Sequence, residues 1–137
     1  MAPDKTTITI LIIDDDEIVC HMAQTILEDN LRCEVLTAHS GMDGVDMMIE
    51  NEVHLVLLDV AMSGWDGFKT LSIIRDKVLL RKIPVIMLTA SADRGSVIKA
   101  LELGVVDYLR KPFLPEELVT RVSKVIWEYG QEESFVC

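Results

Sequence analysis

Runs of apolar, β-forming residues alternate along this chain with segments whose apolar residues recur at helical spacing. Ile8-Thr9-Ile10-Leu11-Ile12-Ile13 stops at Asp14-Asp15-Asp16, and Val53-His54-Leu55-Val56-Leu57-Leu58 stops at Asp59 before the chain turns on Ser63-Gly64. Pro84-Val85-Ile86-Met87-Leu88 ends in Thr89-Ala90-Ser91, and Val105 to Leu109 ends near Arg110-Lys111-Pro112-Phe113. Nearly unbroken apolar runs of this length read as strands buried on both faces, as in parallel sheets. Arg32 to Ala38 is shorter and less apolar, so it belongs nearer a sheet edge.

The intervening segments carry helical faces. Ile18, Val19, Met22, Ile26 and Leu27 form the first, with Asp16 placed to start it. Ser40 with Asp43 resembles a capping box, followed by Val45, Met48 and Ile49. Asp66-Gly67 opens a third helix carrying Phe68, Leu71, Ile74 and Val78. Val97, Ile98, Leu101 and Leu103 mark a fourth, stopped by Gly104. In the last, Pro115 lies near the first helical position, Glu116 and Glu117 suit the helix dipole, and Leu118, Val122, Val125, Ile126 and Tyr129 form the buried stripe. Five strands alternating with five helices predict a doubly wound α/β fold with helices on both faces.

The 137 residues suffice for one domain, with its core expected at about residues 7–127. Residues 128–137 lose the periodicity and are expected to fray. Half the residues are hydrophobic and few are aromatic, so aliphatic side chains must fill the core. A net charge of −10 argues against a nucleic-acid surface, which needs clustered Lys and Arg. Cys20, Cys33 and Cys137 show no paired spacing, which predicts reduced thiols. No signal core or membrane-length apolar run is present, so the expected location is the cytoplasm.

Open α/β sheets bind ligands at the carboxyl ends of their strands. Taken singly, Asp59 is equally well a turn residue, Thr89 an ordinary strand threonine and Lys111 a solvated lysine. Parallel pairing would gather Asp14, Asp15, Asp59, Thr89 and Lys111 at one edge. That mixture of carboxylates, a hydroxyl and an ammonium fits a magnesium and phosphate site.

The set Asp14-Asp15, Asp59, Thr89-Ala90 and Lys111-Pro112-Phe113 closely resembles the response-regulator receiver domain of two-component signalling. The resemblance runs from about Thr7 to about Trp127 and rests on separated motifs in the right order. It implies a flavodoxin-like (βα)5 fold with a five-stranded parallel sheet in the order 2-1-3-4-5. It implies that Asp59 accepts a phosphoryl group from a histidine kinase or phosphotransfer protein, with Mg2+ as cofactor. Asp15 is then the direct metal ligand and Asp14 acts through water, with Asp59 and the Ala61 backbone carbonyl completing the protein ligands. Lys111, Thr89 and the Ala90 N–H hold the phosphoryl group. Thr89 and Tyr108 act as the switch, changing the face formed by the fourth helix, fifth strand and fifth helix to control an output domain or downstream protein. Such a domain promotes its own phosphorylation and dephosphorylation without turning over an external substrate. Met62-Ser63-Gly64 departs from the family's more usual Met-Pro-Gly. Trp65, on the same loop, is either a packing residue or part of a partner surface.

Other readings meet specific objections. A haloacid-dehalogenase-like phosphatase wants a second acid two residues after its nucleophile, where Ala61 stands. A flavodoxin-like flavin binder wants Ser, Thr and Gly after the first strand, where three aspartates would repel a phosphate. A degenerate receiver used only for interaction would not keep the whole residue set. His21, His39 and His54 are expected to be structural or surface residues. In winged-helix members of the family a charged set pairs two receivers; Asp107, Glu117 and Arg121 fit it, whereas Val97 and Val106 do not.

Overall fold

The computed structural model describes residues 7–90 and 93–136, with side chains as far as Tyr129. The elements alternate as β1 (Ile8–Ile13), α1 (Glu17–Asn30), β2 (Cys33–Ala38), α2 (Gly41–Glu50), β3 (Leu55–Asp59), α3 (Gly67–Asp76), β4 (Val85–Thr89), α4 (Arg94–Glu102), β5 (Asp107–Arg110) and α5 (Pro115–Val136). All pairings are parallel, in the order β2-β1-β3-β4-β5, so the less apolar strand lies at an edge as its composition predicts.

The central strands lack an apolar–polar alternation because both faces are covered. Leu11, Ile13, Val56, Leu58, Val85 and Met87 pack with α2, α3 and Ala100 of α4 on one face. Ile10, Ile12, Leu55, Leu57, Ile86 and Leu88 pack with α1 and α5 on the other. Successive strand residues therefore serve different cores, and each core needs aliphatic side chains.

Helix starts follow the local chemistry. Asp16 caps α1 through Ile18 N–H, Ser40 caps α2 through Asp43 N–H, and Asp66 caps α3 through Lys69 N–H. Gly104 closes α4 at φ +79°. The backbone of α5 continues to Val136, past the point where its apolar spacing is lost.

Several expected core positions are not buried. In α1 the buried stripe is Cys20, Ala23 and Leu27, whereas Ile18 and Met22 are 72% and 51% exposed. Each lies two residues from Cys20, about 200° around the helix, so no rotation of α1 buries all of them. Ile49, Ile98 and Leu101 likewise face solvent, and Val78 lies beyond α3 in an exposed turn. Ala100 is the buried residue of α4, which makes this helix the least embedded of the layer it belongs to.

Arg75 ties that layer together from below. Its guanidinium donates to the carbonyls of Leu103 (3.0 Å) and Gly104 (3.0 Å) after α4, and to those of Arg81 (2.9 Å) and Ile83 (3.1 Å) before β4. Arg121 and Asp107, expected as candidates for pairing two receivers, form an ion pair with each other at 2.6 Å.

Candidate functional site

The carboxyl ends of β1, β3 and β4 bring Asp14, Asp59 and Thr89 into the protein interior, all three essentially buried, while Asp15 remains exposed. Carboxylate oxygens of Asp14, Asp15 and Asp59 all lie within 4.8 Å of one another. Lys111 follows β5 and enters the group from the side, through a loop whose Lys111–Pro112 peptide is cis. Its backbone N–H donates to the Thr89 carbonyl at 2.6 Å, which sets it beside the end of β4.

Lys111 pairs with Asp59 and shares that contact with Asp14. Lys111 Nζ stands 3.1 Å from Asp59 Oδ1 and 2.7 Å from Asp14 Oδ2, so the ammonium bridges both acids. Asp14 is fixed further by the Asp16 N–H, which donates to its Oδ1 at 2.9 Å. The Asp14 carbonyl accepts from the Cys20 thiol at 3.4 Å, and His39 Nδ1 lies 3.3 Å from the same oxygen. His39 is an exposed surface residue, as expected, and lies beside the Asp14 backbone because β2 ends level with β1: Ile13 pairs with Ala38. His54 is structural, as expected, since its Nδ1 accepts from Thr9 N–H at 3.0 Å.

The electrostatics follow from this crowding. Burial pushes the Asp59 carboxyl up to about 6, and the neighbouring Asp14 charge adds to the effect, while Lys111 opposes both. Burial alone would lower the Lys111 pKa, but hydrogen bonds and charge from Asp14 and Asp59 leave it above its ordinary value. At neutral pH the pair is therefore a carboxylate and an ammonium. Burial, then Asp14 and Asp16, push the Cys20 thiol up to about 11, so it stays protonated.

The loop after β3 closes against the sheet through Gly67, whose N–H donates to the Val60 carbonyl at 2.8 Å. A Cβ on Gly67 would run into the Asp59 carbonyl and the Val60 Cα, so only glycine permits this approach. Ser63 N–H donates to Asp15 Oδ2 at 3.3 Å. A proline at this position would have no N–H to offer, so the departure from Met-Pro-Gly gives Asp15 a donor. Trp65 is half-buried and packs on the core beside α2, which makes it at least partly a packing residue.

Ala61 and Ala90 are exposed at the ends of the β3 and β4 loops, and Tyr108 is half-buried against the helix layer that contains α4. Ser91, expected at the end of the fourth strand, lies outside the described residues. The Asp14–Lys111 contact and the Ser63 donor were not legible beforehand, because both depend on which side-chain atoms face each other.

Comparison with known proteins agrees with the fold. The profile described as response regulator receiver domain matches residues 10–123, most of the chain. The chain belongs to the response-regulator receiver family. This receiver domain is 37% identical over 118 residues to the transcriptional regulatory protein GltR of Pseudomonas aeruginosa. The match covers 86% of the chain and 48% of GltR, so the chain spans about half the length of that relative. Among solved structures, a putative response regulator from Chloroflexus aurantiacus is 36% identical with a TM-score of 0.82, covering 88% of this chain and 98% of that one. The BeF3-activated DrrB receiver domain is 30% identical with a TM-score of 0.75, covering 88% and 97%. The chemotaxis protein CheY4 of Vibrio cholerae is 25% identical with a TM-score of 0.82, covering 87% and 98%. The receiver domain is a part of two-component signalling, and no helix among its described residues is long and apolar enough to cross a membrane.

Proposed function

We propose that Asp59 is the phosphoacceptor of this receiver domain, taking a phosphoryl group from the phosphohistidine of a partner kinase or phosphotransfer protein. One Asp59 carboxylate oxygen attacks phosphorus, and the phosphorus–nitrogen bond to histidine breaks. Its electron pair returns to the imidazole, which takes up a proton, and an acyl phosphate remains on Asp59. The observation that carries this reading is the Lys111 ammonium bridging buried Asp14 and Asp59 at the strand ends.

Asp59 must be ionised to attack, and at neutral pH it is, although burial makes it more basic than an ordinary aspartate. Lys111 offsets the negative charge that arrives with the phosphoryl group. Because it already holds Asp14 at 2.7 Å, it can move its second contact from Asp59 to a phosphoryl oxygen without losing its anchor. Thr89 and the Ala90 N–H supply further donors. The donor set is all-oxygen and anionic, which fits Mg2+: Asp14, Asp15, Asp59 and the Ala61 carbonyl would hold it, and when bound it supplies positive charge facing the transferring phosphoryl group.

Signal output follows from the same donors. Drawing Thr89 toward the phosphoryl group alters the end of β4, beside which β5 pairs Met87 with Tyr108. The face of α4, β5 and α5 then changes, and an output domain or separate partner reads it. The domain makes no direct nucleic-acid contact of its own and performs its role in the cytoplasm, where Cys20 and Cys33 remain free thiols.

Acetyl phosphate with magnesium tests the assignment. Intact mass should show one added phosphoryl group on the wild type and none on Asp59→Asn. Labelling of the variant at the normal rate would overturn it, and no labelling of the wild type under any small-molecule or kinase donor would favour a receiver used only for interaction.

A further inference from the structure

The helix that carries the signal in this reading is fastened at its carboxyl end. Helix α4 buries only Ala100 among its own residues, so packing restrains it weakly. At its carboxyl end, however, Arg75 Nε and Nη2 donate to the carbonyls of Leu103 and Gly104, both at 3.0 Å. Carbonyls just past a helix have no partner within it, and a cation there also suits the helix dipole. The remaining guanidinium contacts, through Nη1, go to Arg81 and Ile83 in the turn before β4. One planar, half-buried group thus fastens the end of α4 to the base of β4 and to α3, from which it springs. The middle of α4 carries a non-directional tie, with Lys99 Nζ 4.5 Å from the centre of the Phe68 ring. The amino end of α4 follows Thr89 by a few residues. Asp93 caps it, accepting from the Ser96 N–H at 2.9 Å and from Ser96 Oγ at 2.8 Å.

We propose that Arg75 is a positioning residue that makes the carboxyl end of α4 a fixed pivot, so that changes at Thr89 swing the amino end of the helix. The inference rests on the phosphoacceptor reading for its signalling role, but the clamp itself is independent of phosphorylation. A helix of about nine residues spans about 13 Å, so a small tilt about one end becomes a larger shift at the other. Without the clamp, the same input would be spread over the whole helix as sliding.

Amide resonances of the wild type, free and with beryllofluoride and magnesium, give the first measurement. Shifts at Arg94–Ile98 should exceed those at Leu101–Val105 severalfold. Arg75→Lys keeps the charge and most of the stem, but one ammonium cannot reach both pairs of carbonyls in the planar fork arrangement. In that variant the two ends should shift to a similar extent. Without ligand, its Leu103, Gly104 and Val105 amides, which bond to Lys99 or Ala100, Leu101 and Ala100 carbonyls, should exchange about tenfold faster while β1 and β3 amides stay unchanged. Equal shifts at both ends of α4 in the wild type would overturn the pivot, and this arm holds even if the variant does not fold. Unchanged exchange in a folded Arg75→Lys would overturn the clamp. If beryllofluoride leaves the Asp59 and Val60 amides untouched, the phosphoacceptor reading fails and the signalling role of the pivot falls with it. The exchange measurement then still decides whether Arg75 holds the helix end.

Discussion

Replacing Asp59 by asparagine should stabilise the metal-free protein at neutral pH, although it removes one partner of Lys111. The Asp59 side chain is buried, with the residue 4% exposed, and its carboxyl is raised from 3.8 to about 6 by burial and by Asp14, net of the attraction of Lys111. A folded pKa above the unfolded value means that folding favours the protonated form. The cost is therefore absent at pH well below 3.8, grows through the window up to about 6, and is fully present above it. At about 1.4 kcal/mol per unit, the ionised carboxylate costs about 3 kcal/mol at pH 7.5 and roughly half that at pH 5. Asparagine carries no charge across this range and still offers an acceptor to Lys111, which keeps its 2.7 Å contact to Asp14. The gain should be a little less than the full cost, about 2 kcal/mol, because the amide is itself a buried polar group. Urea unfolding with chelator present, at pH 5 and pH 7.5, measures it through the midpoint at unchanged slope. The variant should be the more stable at both, with the gap wider by about 1.4 kcal/mol at the higher pH. A variant no more stable than wild type at pH 7.5, or a gap that does not depend on pH, would refute the reasoning that Asp59 is held ionised against burial.

Magnesium should raise the unfolding midpoint of the wild type, by about 1.4 kcal/mol at ten times its dissociation constant, and Asp15→Ala should lose nearly all of that. A full magnesium response in this variant would remove Asp15 from the metal site. Gly67→Ala should destabilise by about 2 kcal/mol or more, since the new Cβ meets the backbone of Asp59 and Val60, which cannot yield cheaply; urea unfolding checks it, and a change within error would mean the loop adapts freely. Thr89→Ala should still bind beryllofluoride through Asp59 and Lys111 but show much weaker amide shifts around Tyr108, while the α2 helix stays quiet in both proteins. A full response in that variant would return Thr89 to an ordinary strand residue.

Local sequence pattern determined the alternation of five strands and five helices, the caps Asp16, Ser40 and Asp66, and the residues at each strand end, because these depend on local spacing and on single capping groups. The strand order came from resemblance, since a buried parallel strand is apolar whichever neighbour it has. Even the helix faces were only partly legible. Ile18 and Met22 have the same apolar character as Leu27, and only docking of α1 on the sheet selects Cys20, Ala23 and Leu27 for the interior. The gathering of Asp14, Asp15, Asp59, Thr89 and Lys111 followed from supposing that the strands run parallel, and the structure brings them to one edge. That Lys111 reaches Asp14 more closely than Asp59, that Ser63 turns its N–H to Asp15, and that Arg75 joins two loops from below were decided by the tertiary structure. Those contacts span up to 97 residues of chain and turn on fractions of an ångström. Local composition selects which residues a strand end carries, but directional bonds between distant segments exist only once packing has fixed both partners in space.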